Sequence, residues 1–297
     1  MKLMLKEKSL IKRIGNQLFF TGPTMIVFMI ALLVPFAYGF YLTLMNMTSP
    51  VSPLEFSGIE NYITAFKDSQ FWDSLWLTVK YVGATIVLVN VIGFVMAYLV
   101  TSGIKSQNFF RTALFTPNLI GGLVLGYIWQ FVFVQSLPAI GEKLGIELLR
   151  LGWLGDEHLA FWALVIVTIW QSAGYMMIIF IAGLISVPKD VIEASTIDGA
   201  NLWQRLIKMT LPLMIPSFVV TVFLTLKSAF MVYDINFSLT EGGPFNSTMM
   251  VSMHVVQKAF LETNYGVGQA EAIILFVIVA AVTGVQVYFS KKMEVQS

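Results

Sequence analysis

Long apolar runs separated by short polar connections dominate the chain. At roughly 20 residues per helical crossing, they predict six membrane spans, at about 18–45, 74–100, 109–135, 159–187, 211–235 and 271–290. The first run follows a basic segment. It is about twice the length of a secretory signal core, so it reads as a span rather than a leader. The polar loop over 46–73 holds a turn-rich run over 48–53 and a short helix predicted over 59–66. A second loop covers 136–158, and the stretch 188–210 is dense in helix formers. The last loop, 236–269, contains an amphipathic helix predicted over 249–261, where Met250, Met253, Val256 and Phe260 recur at helical spacing.

Composition narrows the picture. Of 297 residues, 57% are apolar and only 12% charged, and the mean hydropathy is +0.78. A water-soluble domain carries about 25% charged residues, so the charge is too scarce to coat a soluble surface. The same apolar excess excludes disorder. Without cysteine there is no disulfide framework, thiolate catalysis, iron–sulfur cluster or cysteine-held zinc. No phosphate-binding Gly-rich loop and no His-Glu-x-x-His pair occurs. His158 and His254 stand alone in the loops and read as surface residues. No catalytic residue, metal site or nucleic-acid surface is expected. The class that remains is an all-α polytopic membrane protein.

Charge placement orients it. Six spans put both termini on one side. That side carries Lys2, Lys6, Lys8, Lys12, Arg13, Lys105, Arg111, Lys189, Arg205, Lys208, Lys291 and Lys292. The other carries only Lys67, Lys143, Arg150 and Lys258, while Lys80 and Lys227 fall within spans. Lys and Arg in short loops prefer the cytoplasm, so the termini and the 188–210 stretch are expected inside. The loops over 46–73, 136–158 and 236–270 are then expected outside.

The 188–210 stretch is the most structured connection. Asp190 with Glu193 fits a capping box in outline, predicting a helix over 191–198. Asp198-Gly199 signals chain reversal. Asn201 can cap a second helix through Met209, and Pro212 suits the first turn of span five. The product is a helix–turn–helix elbow. On these residues alone, a plain amphipathic interfacial loop is an equal reading.

Glu193-Ala194-Ser195, then Gly199, then Leu211-Pro212 resemble the EAA loop of binding-protein-dependent ABC importer permeases, with Ser195 for the second Ala and Met209 for an Ile. Trp153-Leu154, Trp170-Gln171, Ala182-Gly183-Leu184, Ile197-Asp198-Gly199-Ala200, Tyr233-Asp234, Leu239-Thr240 and Gly242-Gly243-Pro244 are similar to carbohydrate permeases of the MalF type. The similarity runs from the first span to the sixth.

The resemblance implies the six-helix fold of type I ABC importer permeases, in a bacterial or archaeal cytoplasmic membrane. Residues 1–17 and 291–297 would be cytoplasmic termini, and 18–290 the permease domain with its coupling loop at 188–212. It implies a second homologous permease subunit, two ATPase subunits holding ATP and Mg, an extracytoplasmic sugar-binding protein, a sugar substrate and surrounding lipid. No cofactor is expected on this chain itself. Coupling to the ATPase would fall to Glu193, Ala194, Ser195, Asp198, Gly199, Ala200, Leu211 and Pro212. Glu193 would make a charged contact, Gly199 the turn, and Ala194 and Ser195 a small contact face.

Sugars are held by aromatic faces with amide, hydroxyl and carboxylate groups. Candidates in the spans are Asn118, Thr168, Trp170, Gln171, Ser172, Tyr175, Lys227, Tyr233, Asp234 and Asn236. Thr168, Ser172 and Tyr175 share one helical face. Lys227 lies deep in span five, where a charge reads as functional by default; Lys80 is near enough to an end to snorkel outward. Gly122 and Gly126 form a Gly-x-x-x-Gly pair suited to close helix packing. Three alternatives stand: an ABC permease for another solute class, an integral membrane enzyme, for which no catalytic constellation is found, and a secondary transporter or channel subunit. A secondary transporter calls for coupling carboxylates within spans, where Asp234 at an end is the clear candidate, and for inverted repeats, which are not found.

Overall fold

A computed structural model describes residues 17–47 and 53–293. Five basic residues of the N-terminal segment, Lys2 to Arg13, and most of the turn-rich run over 48–53 lie outside them. The described residues are helical apart from loops and an antiparallel strand pair that sets Met45 against Phe56 and Asn46 against Glu55. Among the described residues, five helices are long and apolar enough to cross a membrane: Gln17–Leu42, Ser69–Thr101, Gly122–Leu144, Glu157–Ser186 and Tyr265–Ser290. The bent pair Leu202–Leu213 and Ile215–Phe230 brings the number to six when the two helices are counted as one broken span.

The chain divides into two compact units. One comprises residues up to Lys67 together with Lys258–Ile273. Here Asn61 ties the end of span one to the helix Glu60–Lys67. Its buried side chain donates to the carbonyls of Thr43 and Met45, each at 2.9 Å. Gly266 packs so closely that a Cβ there would lie 2.5 Å from the Met45 carbonyl oxygen.

The other unit, Asp68–Gln257 and Ile274–Ser297, holds spans two to five. Aspartates start two of its helices. Asp68 Oδ1 accepts from the N–H groups of Gln70 and Phe71, and Asp156 Oδ1 from those of His158 and Leu159. These caps satisfy orphan donors, which is why both helices begin in polar residues ahead of the apolar runs. The core is built on Val89, Ala97, Met176, Met177, Phe180 and Met214. The Phe180 ring packs on Phe218 at 4.7 Å between centroids and edge-on against Phe94. Buried hydroxyls are paired within it: Tyr81 and Thr168 share a hydrogen bond of 2.6 Å.

Several expectations are corrected. Span three is not one helix over 109–135. A short helix, Gln107–Phe115, runs into a tight turn at Thr116–Leu119, and the spanning helix is Gly122–Leu144. Pro117 and the extended Ile120 and Gly121 break the run, and the Gln171 side chain donates to the freed Ile120 carbonyl at 3.0 Å. Span five is not continuous over 211–235. The chain bends by 68° at Met214 and the helix ends at Phe230. A separate short helix, Asp234–Thr240, comes next. Span six begins at Tyr265 rather than at residue 271, so Glu271 is a fully buried carboxylate inside a spanning helix. His254 is no surface residue: it is buried, packed on the Phe71 ring and 3.9 Å from Asp68.

Candidate functional site

A cavity of about 370 Å³ opens between the break before span three, the middle of span four and the end of span five. Asn118, Thr168, Ser172, Tyr175 and Lys227 all line it. The three span-four residues share one face because i, i+4 and i+7 positions stack along a helix. Asn118 arrives through the turn at Thr116–Leu119, which the Gln171 hydrogen bond helps hold. Lys227 and Ser228 sit in the last turn of Ile215–Phe230, just before the chain breaks at Met231.

Thr225 and Ser228 line the same cavity without having been expected there. The sequence did carry a signal. Thr221, Thr225 and Ser228 repeat in span five the i, i+4, i+7 stripe read in span four. Thr225 is held by its own turn, with Oγ1 donating to the Thr221 carbonyl at 2.8 Å, and it receives the Asn90 amide at 3.3 Å. The set presents hydroxyl, amide, phenol and ammonium groups, able to donate to and accept from a polar solute.

The other expected path residues lie elsewhere. Trp170 meets Trp129 edge-on at 5.5 Å and borders a separate apolar groove of about 410 Å³. Gln171 is occupied in stitching the break before span three. Tyr233 stacks on Phe237 at 5.8 Å, Asp234 is exposed, and Asn236 is fully buried with its carboxamide oxygen accepting from Thr240. These three belong to the short helix Asp234–Thr240 and its N-cap, pressed against span three. A Cβ on Gly126 would lie 1.8 Å from Ser238 Oγ, and one on Gly122 2.7 Å from the Asp234 Cβ. The Gly-x-x-x-Gly pair thus makes room for this short helix rather than for another full span.

The elbow is built by local hydrogen bonds. Its first helix is Lys189–Ile197, starting after Pro188. Asp190 is therefore already inside the first turn, and the expected Asp190–Glu193 capping box does not form. The helix closes through a left-handed Gly199, φ +79°, with Ala200 N–H donating to Ser195 O and Gly199 N–H to Thr196 O. This paired arrangement is the C-cap that glycine favours. Asn201 then forms a reciprocal box with Gln204, at 2.8 and 3.0 Å, opening Leu202–Leu213. Arg205 donates to Thr196 Oγ1 at 2.6 Å, bracing one helix on the other.

Glu193, Ala194, Asp198 and Gly199 are exposed, and Leu211 and Pro212 half-buried where the elbow meets span five. Ser195, expected on the contact face, is buried instead, its hydroxyl donating to Ile192 O at 2.7 Å. Ile197, Leu202 and Trp203 project into the open at 86%, 69% and 69% exposure. Two caps thus hold three large apolar side chains in the open.

The family model described as "Binding-protein-dependent transport system inner membrane component" matches residues 89–295. The probable starch degradation products transport system permease protein AmyD of Thermoanaerobacterium thermosulfurigenes is 44% identical over 277 residues, covering 93% of this chain and 94% of that protein. The multiple sugar-binding transport system permease protein MsmF of Streptococcus mutans is 35% identical, covering 88% and 90%. In fold, the chain matches one from the crystal structure of a bacterial ABC transporter involved in the import of the acidic polysaccharide alginate. The TM-score is 0.82 at 19% identity, over 97% of this chain and 99% of that one.

Proposed function

Because the chain belongs to the family of binding-protein-dependent transport system inner membrane components, we propose that it is the permease subunit of an ATP-driven importer of sugars, oligosaccharides in particular. It is a transport protein rather than an enzyme. The observation that carries the reading is the cavity holding Asn118, Thr168, Ser172, Tyr175 and Lys227. The three span-four residues fall in the middle third of Glu157–Ser186, near the depth at which a solute is furthest from water on either side. Relatives named for starch products and multiple sugars support a carbohydrate as that solute.

In this reading the chain forms half of the path and a homologous permease the other half. Residues 18–290 are the permease domain, 1–17 and 291–297 are cytoplasmic, and 188–212 is the coupling loop. Two separate ATPase subunits hold ATP and magnesium, and a sugar-binding protein delivers solute from the outer side. The elbow suits the transmission of force. Its two short helices are fixed by caps and a cross-brace, so a push on Ile197, Leu202 and Trp203 moves them as one body instead of being absorbed by a loop.

The test is purification with the neighbouring subunits and measurement of sugar-stimulated ATP hydrolysis across an oligosaccharide panel. Stimulation by one or more sugars is expected. Stimulation only by another class of solute would overturn the carbohydrate reading.

A further inference from the structure

The loop after the helix Asp234–Thr240 lies outside the transport cavity yet is built with unusual constraint. Thr248 is fully buried; its N–H donates to Gly242 O and its hydroxyl to Gly243 O. Ser247 N–H closes on Pro244 O, and Met249 N–H on Asn246 O. At the tip, Phe245 and Asn246 are both held left-handed, at φ +49° and +61°, a conformation bulky side chains seldom adopt. Phe245 is 90% exposed. A phenyl ring free to move would fold onto apolar neighbours; this one is held in the open by its backbone.

Beside the ring lies a cavity of about 360 Å³, between the first turns of span two and the helix Val251–Val256. Gln70, Asp73, Asn246 and Gln257 reach into it. Three side-chain amides, each both donor and acceptor, and one carboxylate acceptor match the alternating hydroxyls of a pyranose. Among the described residues, none of these four side chains is engaged in a hydrogen bond to another protein group. The cavity is within the size range of small-ligand sites. A concave polar pocket edged by one aromatic face fits a small polyhydroxylated molecule, whereas a protein partner would call for a broader, flatter patch.

We infer that this is a second carbohydrate subsite: a vestibule in which Phe245 stacks on a sugar ring while Gln70, Asp73, Asn246 and Gln257 engage its hydroxyls, ahead of the cavity at Thr168, Ser172 and Tyr175. The inference rests on the sugar-importer reading and on its orientation, which puts this loop on the outer face.

The test uses the assembled transporter in nanodiscs and oligosaccharides carrying a diazirine, maltotriose first, restricted to those that stimulate ATP hydrolysis. After photolysis, adducts are mapped by mass spectrometry. Adducts within 69–77 and 244–257 are expected, and Phe245→Ala should reduce those at 69–77 at least tenfold while leaving adducts at 168–175 and 224–231. Gln257→Leu, which leaves the loop backbone unchanged, should do the same. Adducts confined to 168–175 and 224–231 would overturn the vestibule and leave the importer reading intact. So would unchanged labelling with weaker capture of the binding protein, which would make Phe245 a protein contact. If no sugar stimulates hydrolysis while another solute does, the importer reading fails and the vestibule with it.

Discussion

Span four and the elbow at 188–213 are both helical and both carry large apolar residues, yet they are held in opposite ways. Span four is fixed from outside itself. Ala163, Leu164, Val167, Met177 and Phe180 are buried by neighbouring spans, and Gly174 lets the 107–115 helix approach until backbones touch. The elbow is fixed from within, by a glycine C-cap, an asparagine box and one arginine brace, while Ile197, Leu202 and Trp203 stay uncovered. Packing makes a helix immovable relative to its neighbours; local capping makes it rigid but leaves it free to be gripped. A transporter driven from a separate subunit needs one of each.

The comparison breaks most severely at Gly174. A Cβ there would lie 1.8 Å from the Leu114 carbonyl oxygen, a backbone atom with nowhere to go. Gly174→Ala should cost more than the usual figure for overpacking, about 1–3 kcal/mol, enough against a total stability of about 5–15 kcal/mol to deplete the folded protein. Fluorescence-detected size exclusion would then show loss of the monodisperse peak. A native elution profile and melting temperature would mean the helices slide apart cheaply.

Next comes Gly199→Pro. Proline locks φ near −65°, against the +79° that the reversal requires. No atom lies within 4 Å of a Cβ at that position, so the spans should be undisturbed. Melting temperature should hold while transport falls about tenfold or more, on the scale of a coupling free energy. Solute uptake at the native rate would show that the elbow's shape is immaterial.

Asn201→Ala removes the box that opens the second helix, a loss of about 1 kcal/mol. Amide exchange over 202–206 should quicken several-fold with that over span four unchanged. Thr196→Val, which deletes the Arg205 brace together with the hydroxyl's exposed bond to the Ile192 carbonyl, should cost about 0.5 kcal/mol. It should raise exchange in the elbow slightly, and a drop in uptake larger than that caused by Asn201→Ala would reverse the ranking of caps over brace.

Much of the fold was legible from the apolar runs, because a run long enough to cross hydrocarbon has few other uses. The ends were less so. Asp68 and Asp156 start their helices in polar residues that hydropathy discounts. The breaks were harder still. Pro117 and Gly121 sit in plain view, but the carbonyl their break frees, that of Ile120, is satisfied by the Gln171 amide 51 positions further along the chain. Met214 is marked locally by Pro216, which has no N–H for the Pro212 carbonyl and opens the helix Ile215–Phe230, but the size of the bend is not written there. Of the cavity, the span-four stripe could be read from spacing alone, since one helix fixes its own faces. Trp170, two positions from Thr168, turns to another groove by that same geometry. The motif resemblance located the elbow; it could not reveal that Ser195 points inward, which depends on the turn it closes.

The bend at Met214 gives the elbow a mechanical ratio. The helix Leu202–Leu213 leaves span five at 68°, and its twelve residues at about 1.5 Å each make an arm of about 18 Å. A rotation of about 10° at that corner would sweep the far end through about 3 Å. The pivot is a methionine buried in the core shared with span four. A small travel at the elbow's tip therefore becomes torque at the helix that lines the cavity.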